Sequence, residues 1–104
     1  DALSNDIDEI IPSLFALHQN HPNPFNPTTS IEYDLPNDSY TVVTVFDVMG
    51  KHVKTLVEKN QSAGFKTIRW DAKNDEGESV AAGMYIYQIK SGVNIASKKM
   101  ILLR

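Results

Sequence analysis

From Ser30 to Leu103 apolar and polar residues alternate in short runs, and turn clusters break those runs about every 8–12 residues. A period of two places successive side chains on opposite faces of a strand. Ile31, Tyr33 and Leu35 alternate with Ser30, Glu32 and Asp34, the pattern of a half-buried strand. Tyr40–Phe46 is β-branched and apolar on both faces, which predicts a central strand. Asp47-Val48-Met49-Gly50 reads as a tight turn. Val53, Leu56 and Val57 fit neither period, which predicts a strand with a bulge. After a turn at Gln61–Gly64, Phe65–Trp70 alternates with Ile68 and Trp70 on one face. Tyr85, Tyr87 and Ile89 share a face of the next run, Ser91-Gly92-Val93-Asn94 reads as a hairpin connection, and Ile95–Leu103 forms the last strand. No 10–15-residue helical pattern lies between these runs, so a parallel sheet with crossover helices is not expected. The expectation is an all-β, antiparallel β-sandwich of about seven strands.

The chain has 104 residues, the size of one domain, and its 41% apolar and 22% charged residues suit a folded core. That core is expected from Ile31, Tyr33, Leu35, Val43, Val45, Val53, Leu56, Ile68, Trp70, Tyr87, Ile89, Met100 and Leu102. Cysteine is absent, which excludes a disulfide scaffold and thiol chemistry. No apolar run approaches a membrane span, and no basic-then-apolar leader opens the chain. It starts at Asp1 rather than Met, so the reading is a piece of a longer protein. Charge is uneven: residues 1–50 hold eight acids and no Lys or Arg, whereas residues 51–104 hold five acids and ten bases. No dense basic stripe interleaves with aromatics, so nucleic-acid binding is not expected.

Two segments before Thr28 break the alternation. Asp1–Leu14 is acidic; Ile7, Ile10 and Ile11 fall on one helical face with Ser4 as a cap, but the stretch is too short for a stable helix. Residues 1–16 are read as an acidic linker and 17–104 as the domain. In His18–Pro27 three prolines force an extended or turning backbone. Pro24 and Pro27 match the three-residue repeat of polyproline II, which leaves Phe25 to anchor the segment on an apolar surface, with asparagines satisfying its backbone.

Candidates for chemistry are sparse. His18 and His21 lie three apart in a stiff stretch with no cysteine nearby, and His52 is remote, so no metal site or cofactor is expected. Asp71–Glu78 is rich in oxygen ligands, but Lys73 sits at a ligand position and Gly77 is seventh rather than sixth. An Asx-rich connection that bonds its own backbone is the simpler reading, with calcium left open. Neither a nucleophile elbow nor a glycine-rich phosphate loop occurs, so a non-catalytic domain is expected. Tyr40, Phe46 and Tyr85 are read as exposed aromatics that either stack on sugars or pack across strands. Lys98–Arg104 is apolar on both faces with bases at either end: a sheet-central strand, or a terminal strand that another protein reads by edge addition.

Leu17–Ile31, with its Pro22-Asn23-Pro24-Phe25-Asn26-Pro27 core, resembles the opening of the type A C-terminal sorting domains of the type IX secretion system. Val45-Phe46-Asp47-Val48-Met49-Gly50-Lys51, Trp70-Asp71, Gly83-Met84-Tyr85-Ile86-Tyr87 and Lys98–Arg104 resemble further signatures of that family, in order across residues 17–104. The immunoglobulin-like domain of flagellar hook-capping proteins is a relative with the same strand pattern. The resemblance implies an immunoglobulin-like sandwich and a cargo address rather than an enzyme. Its partners would be an outer-membrane translocon, a sortase-like protease and a covalently linked N-terminal cargo domain, and its route the periplasm and then the cell surface or exterior. By position, the family's recognition residues fall on Pro22, Asn23, Pro24, Ile31, Gly83, Tyr85, Lys98, Lys99, Met100, Ile101, Leu102, Leu103 and Arg104. The alternative is a structural or carbohydrate-binding module of a multidomain extracellular enzyme. A weak homo-oligomer through a sheet edge is a further expectation.

Overall fold

A computed structural model describes residues 10–104. Ser4 and Ile7 of the expected helical face lie outside the described residues; Ile10 and Ile11, within them, are exposed and belong to no helix. Seven strands, and no helix, occur among the described residues: β1 (Ala16–Leu17), β2 (Thr29–Leu35), β3 (Ser39–Asp47), β4 (His52–Gln61), β5 (Gly64–Trp70), β6 (Gly83–Ser91) and β7 (Asn94–Leu102). They form a three-stranded sheet in the order β1-β2-β5 and a four-stranded sheet in the order β4-β3-β6-β7, every neighbouring pair antiparallel.

The alternation seen in the sequence is the alternation of burial. β2 buries Ile31, Tyr33 and Leu35, and β6 buries Tyr85, Tyr87 and Ile89. β3, apolar on both faces, is indeed central, flanked by β4 and β6. Thr41, Val43 and Val45 point inward from it. The bulge expected in β4 is present twice. Val43 faces Val57 while Thr44 faces Thr55, and Val45 faces Lys54 while Phe46 faces His52. The skipped residues are Leu56 and Val53, two of the three that fitted neither period, whereas Val57 stays paired and buried. An unpaired extra residue rotates its side chain away from the strand's face. Both are therefore only partly buried against the core, as is Ile68, a correction to their expected full burial.

The remaining predicted core residues are buried, and the core also takes in Leu17, Phe25, Val57, Ala72 and Tyr85. Trp70, 1% exposed, sits at its centre between Phe25 (ring centroids 5.8 Å apart) and Tyr85 (5.3 Å, edge-on). Its indole N–H donates to the Lys73 carbonyl at 2.9 Å, so its polar edge is not left unpaired. Tyr85 is thus packed on tryptophan rather than exposed on the sheet surface. Tyr40 keeps an exposed ring and Phe46 is half-buried.

Turns fall where the sequence places them. At Asp47–Lys51 the Asp47 carboxylate accepts the amides of Met49 and Lys51, both at 2.9 Å, and Gly50 adopts φ +83°, a region that side chains disfavour. Gly92–Val93 closes the β6–β7 hairpin, with Ser91 facing Asn94. The proline segment does not run as polyproline II: the backbone bends at Pro22–Pro24, between isolated bridges at His21 and Phe25, and again at Asn26–Pro27. Phe25 is its anchor, as expected.

Candidate functional site

β7 lies at the edge of the four-stranded sheet and pairs with β6 on one side, so the sheet-central alternative does not hold. The proline segment closes part of its other side. Phe25 donates its amide to the Ile101 carbonyl at 2.9 Å, and the Leu103 amide donates to the Phe25 carbonyl at 2.8 Å. The Ile101 amide donates to Asn23 Oδ1 at 3.0 Å, and Gln19 Nε2 donates to the Lys99 carbonyl at 2.7 Å. Two stretches far apart in sequence, Pro22–Ile31 and Lys98–Arg104, thereby become one structural unit.

A buried polar network holds this strap on the sheet. The Tyr87 hydroxyl, on a side chain fully out of solvent, donates to the His18 carbonyl and accepts the Asn20 amide, each at 2.7 Å. The buried Asn20 side chain donates to Thr29 Oγ1 at 3.0 Å and to the Pro22 carbonyl at 3.1 Å. Thr29 Oγ1 in turn donates to that carbonyl at 2.9 Å. Burial pushes the Tyr87 phenol up to about 12, against a smaller opposing effect of the Asn20 amide. Burial likewise raises Tyr85, whose hydroxyl donates to the Ala81 carbonyl.

The sequence-predicted residues divide by side chain. Ile31, Met100 and Leu102 are buried in the core, and Tyr85, 7% exposed, packs in it at the edge of an open cleft. They sit inward because the pleat alternates. Gly83 faces Leu102 across the β6–β7 ladder at φ +146°. Pro22, Asn23 and Pro24 are exposed on the strap. Lys99, Ile101, Leu103 and Arg104 are exposed and Lys98 is half-buried. Arg104 folds back, its guanidinium donating to the Val80 carbonyl at 2.6 and 3.2 Å. Gln19, Asn20, Phe25 and Tyr87 do as much to build the site and were not singled out for it. The visible signal was the density of Asn and Gln beside prolines that lack an N–H.

The other candidates stay separate. In the 71–78 loop Asn74 Oδ1 accepts the amides of Glu76 (3.1 Å) and Glu78 (2.9 Å), the Asx-type connection expected. Asp75 turns away to His52 Nε2 (2.7 Å) and the Thr55 amide (3.1 Å), and these hydrogen bonds, the amide's first, hold its carboxyl below the usual range. His18 Nε2 meets Asp34 at 2.9 Å. Among the described residues no three His, Asp or Glu side chains are grouped to hold a metal ion. An open cleft of about 430 Å³ beside His52 and Asp75 is lined by Asp47, Lys51 and Tyr85 as well.

Comparison with known proteins places this geometry in a family. No curated protein matches the sequence. Among solved structures, dimeric latent PorU from Porphyromonas gingivalis superposes with a TM-score of 0.66 at 21% identity, over 91% of this chain and 10% of that one. PorZ, described as an essential bacterial surface component of the type IX secretion system of the same organism, gives 0.57 at 17%, over 97% and 12%. FlgD from P. aeruginosa gives 0.57 at 24%, over 71% and 57%. The chain thus spans about a tenth of PorU and PorZ and just over half of FlgD, and at these identities the likeness is one of fold. The model of the FlgD Ig-like domain matches residues 25–94, from the strap anchor Phe25 to the start of β7, and the chain belongs to the FlgD Ig-like domain family.

Proposed function

We propose that this domain is a non-catalytic sorting signal that directs a larger protein across the outer membrane through the type IX secretion system. The observation that carries the reading is the joining of strap and last strand. Met100 and Leu102 fix β7 to the core, while Lys99, Ile101, Leu103 and Arg104 face solvent on a strand whose end is held by Asn23 and Phe25. An address must be rigid, exposed and independent of its cargo, and this strand has the first two properties by construction. Support comes from the fold: the same sandwich occurs within PorU and within PorZ, the latter a component of that system by its own description. The translocon and a sortase-like protease are the partners on this reading. The cargo precedes the domain, and the route is periplasm to cell surface or exterior.

The test is a fusion of the 104-residue chain behind a signal peptide and a fluorescent reporter, expressed in a host with the secretion machinery. Removing Leu102 as well as Leu103 and Arg104 would also damage the core, because Leu102 is 1% exposed. The informative variants are Lys98→Glu with Lys99→Glu, and loss of Leu103–Arg104 alone, each with its melting temperature measured. Reporter retained in the periplasm by variants that melt like the parent supports sorting. Parental surface display by both variants refutes it.

A further inference from the structure

The strap closes only half of the β7 edge. The two-residue turn at Gly92–Val93 sets the phase, with Ser91 facing Asn94. Even-numbered residues from Asn94 to Leu102 therefore aim their N–H and C=O groups at β6, and odd-numbered residues aim theirs outward. The strap takes the outward groups from the Lys99 carbonyl to the Leu103 amide. Among the described residues nothing hydrogen bonds to the outward N–H and C=O of Ile95 and Ser97, or to the N–H of Lys99. That leaves three donors and two acceptors in one straight row.

Such an edge is a template for another strand unless something blunts it. The opposite edge of the same sheet is blunted: β4 is bulged twice, and Asp75 takes the Val53 carbonyl with its amide and the Thr55 amide with its carboxylate. β7 has none of this. Its nine residues pair with β6 without a register shift and include no proline. Charge then selects the partner. Residues 83–104 contain Lys90, Lys98, Lys99 and Arg104 and no Asp or Glu. Lys90 lies directly across from the exposed Ile95. A second copy would bring the same basic hairpin against itself, at an electrostatic cost.

We propose that Ile95–Lys99 accepts one extended segment of a partner protein, acidic residues alternating with apolar ones, as an added strand. Its backbone would complete the five free groups, its acids would lie on the exposed face beside Lys99 and Lys90, and its apolar residues would take the inner face beside Ala96. The inference rests on the sorting reading only for the identity of the protein that carries the segment.

The test is an amide hydrogen-exchange titration of the full isotope-labelled chain. The probe is a six-residue peptide alternating glutamate and valine, blocked at both ends. The controls are its lysine–valine counterpart and the same glutamate peptide N-methylated at alternate amides. Exchange at Ile95, Ser97 and Lys99 slowed about tenfold or more by the glutamate peptide alone supports the proposal. So does loss of that protection in Ser97→Pro, whose missing N–H bonds nothing in the domain. Equal protection by the lysine peptide, protection of the β5 edge instead, or no protection overturns it. Protection that rises with protein concentration without peptide identifies a second copy as the occupant and also overturns it. The titration reads the edge alone, so its failure is separable from failure of the reporter export assay.

Discussion

Replacing Tyr87 by Phe isolates what holds the strap. The ring remains, in a position fully out of solvent, so no cavity forms. Two hydrogen bonds of 2.7 Å disappear, one to the His18 carbonyl and one from the Asn20 amide. Each contributes about 1 kcal/mol net, which sets a loss of about 2 kcal/mol. Asn20 is 2% exposed, so its amide gains no water in exchange, and the penalty for an unpaired buried donor carries the total toward about 4 kcal/mol. For a domain of this size even the smaller figure lowers the melting temperature by roughly 8–16 °C. Trp70, the single tryptophan and a core residue, reports urea unfolding by fluorescence. The expected result is a midpoint shifted to lower urea with an unchanged slope. A loss below about 0.5 kcal/mol, the size of an ordinary surface substitution, would refute the reasoning and mean that the strap is held by something else.

Other outcomes follow from the same geometry. Trp70→Ala, which removes the ring between Phe25 and Tyr85, is expected to cost about 3–5 kcal/mol, measured by the same unfolding; a neutral result would contradict the core described. Tyr87 has a folded-state value of about 12 against 10.0 for the free side chain, so its contribution is whole below pH 10 and is lost as pH rises through 12. Spectroscopic titration of tyrosinate should show that phenol ionising last or with unfolding. At the acid end Asp75 is lowered from 3.8, so its contribution is present above that pH and fades as pH falls through the folded value. Asp75→Asn should accordingly speed amide exchange at Thr55 and leave that at Ile101 unchanged.

The sandwich was legible because one face of most strands is buried, which writes burial into the sequence as a period of two. β2 and β6 show it most plainly. β4 read irregularly, and the irregularity was itself the signal: Leu56 and Val53 are the residues that the register skips. β1 was invisible, since two residues carry no period, yet Leu17 joins the core. Tyr85 read as exposed because a tyrosine on a strand suits either face, and only the neighbouring Trp70 and Phe25 decide which. The site was half legible. Lys98–Arg104 announced itself by composition, and Pro22–Pro27 by stiffness. That one covers the other depends on hydrogen bonds spanning 78 residues between Asn23 and Ile101 and 67 between Asn20 and Tyr87. Periodicity is local and carries no such information.

Amide exchange along β7 in the unliganded domain tests the arrangement most directly. The Ile101 and Leu103 amides, bonded to Asn23 and Phe25, should exchange slowly, while those of Ile95, Ser97 and Lys99 should exchange at nearly free rates. Uniform rates at these five odd-numbered positions would contradict a strand that is half strapped and half open.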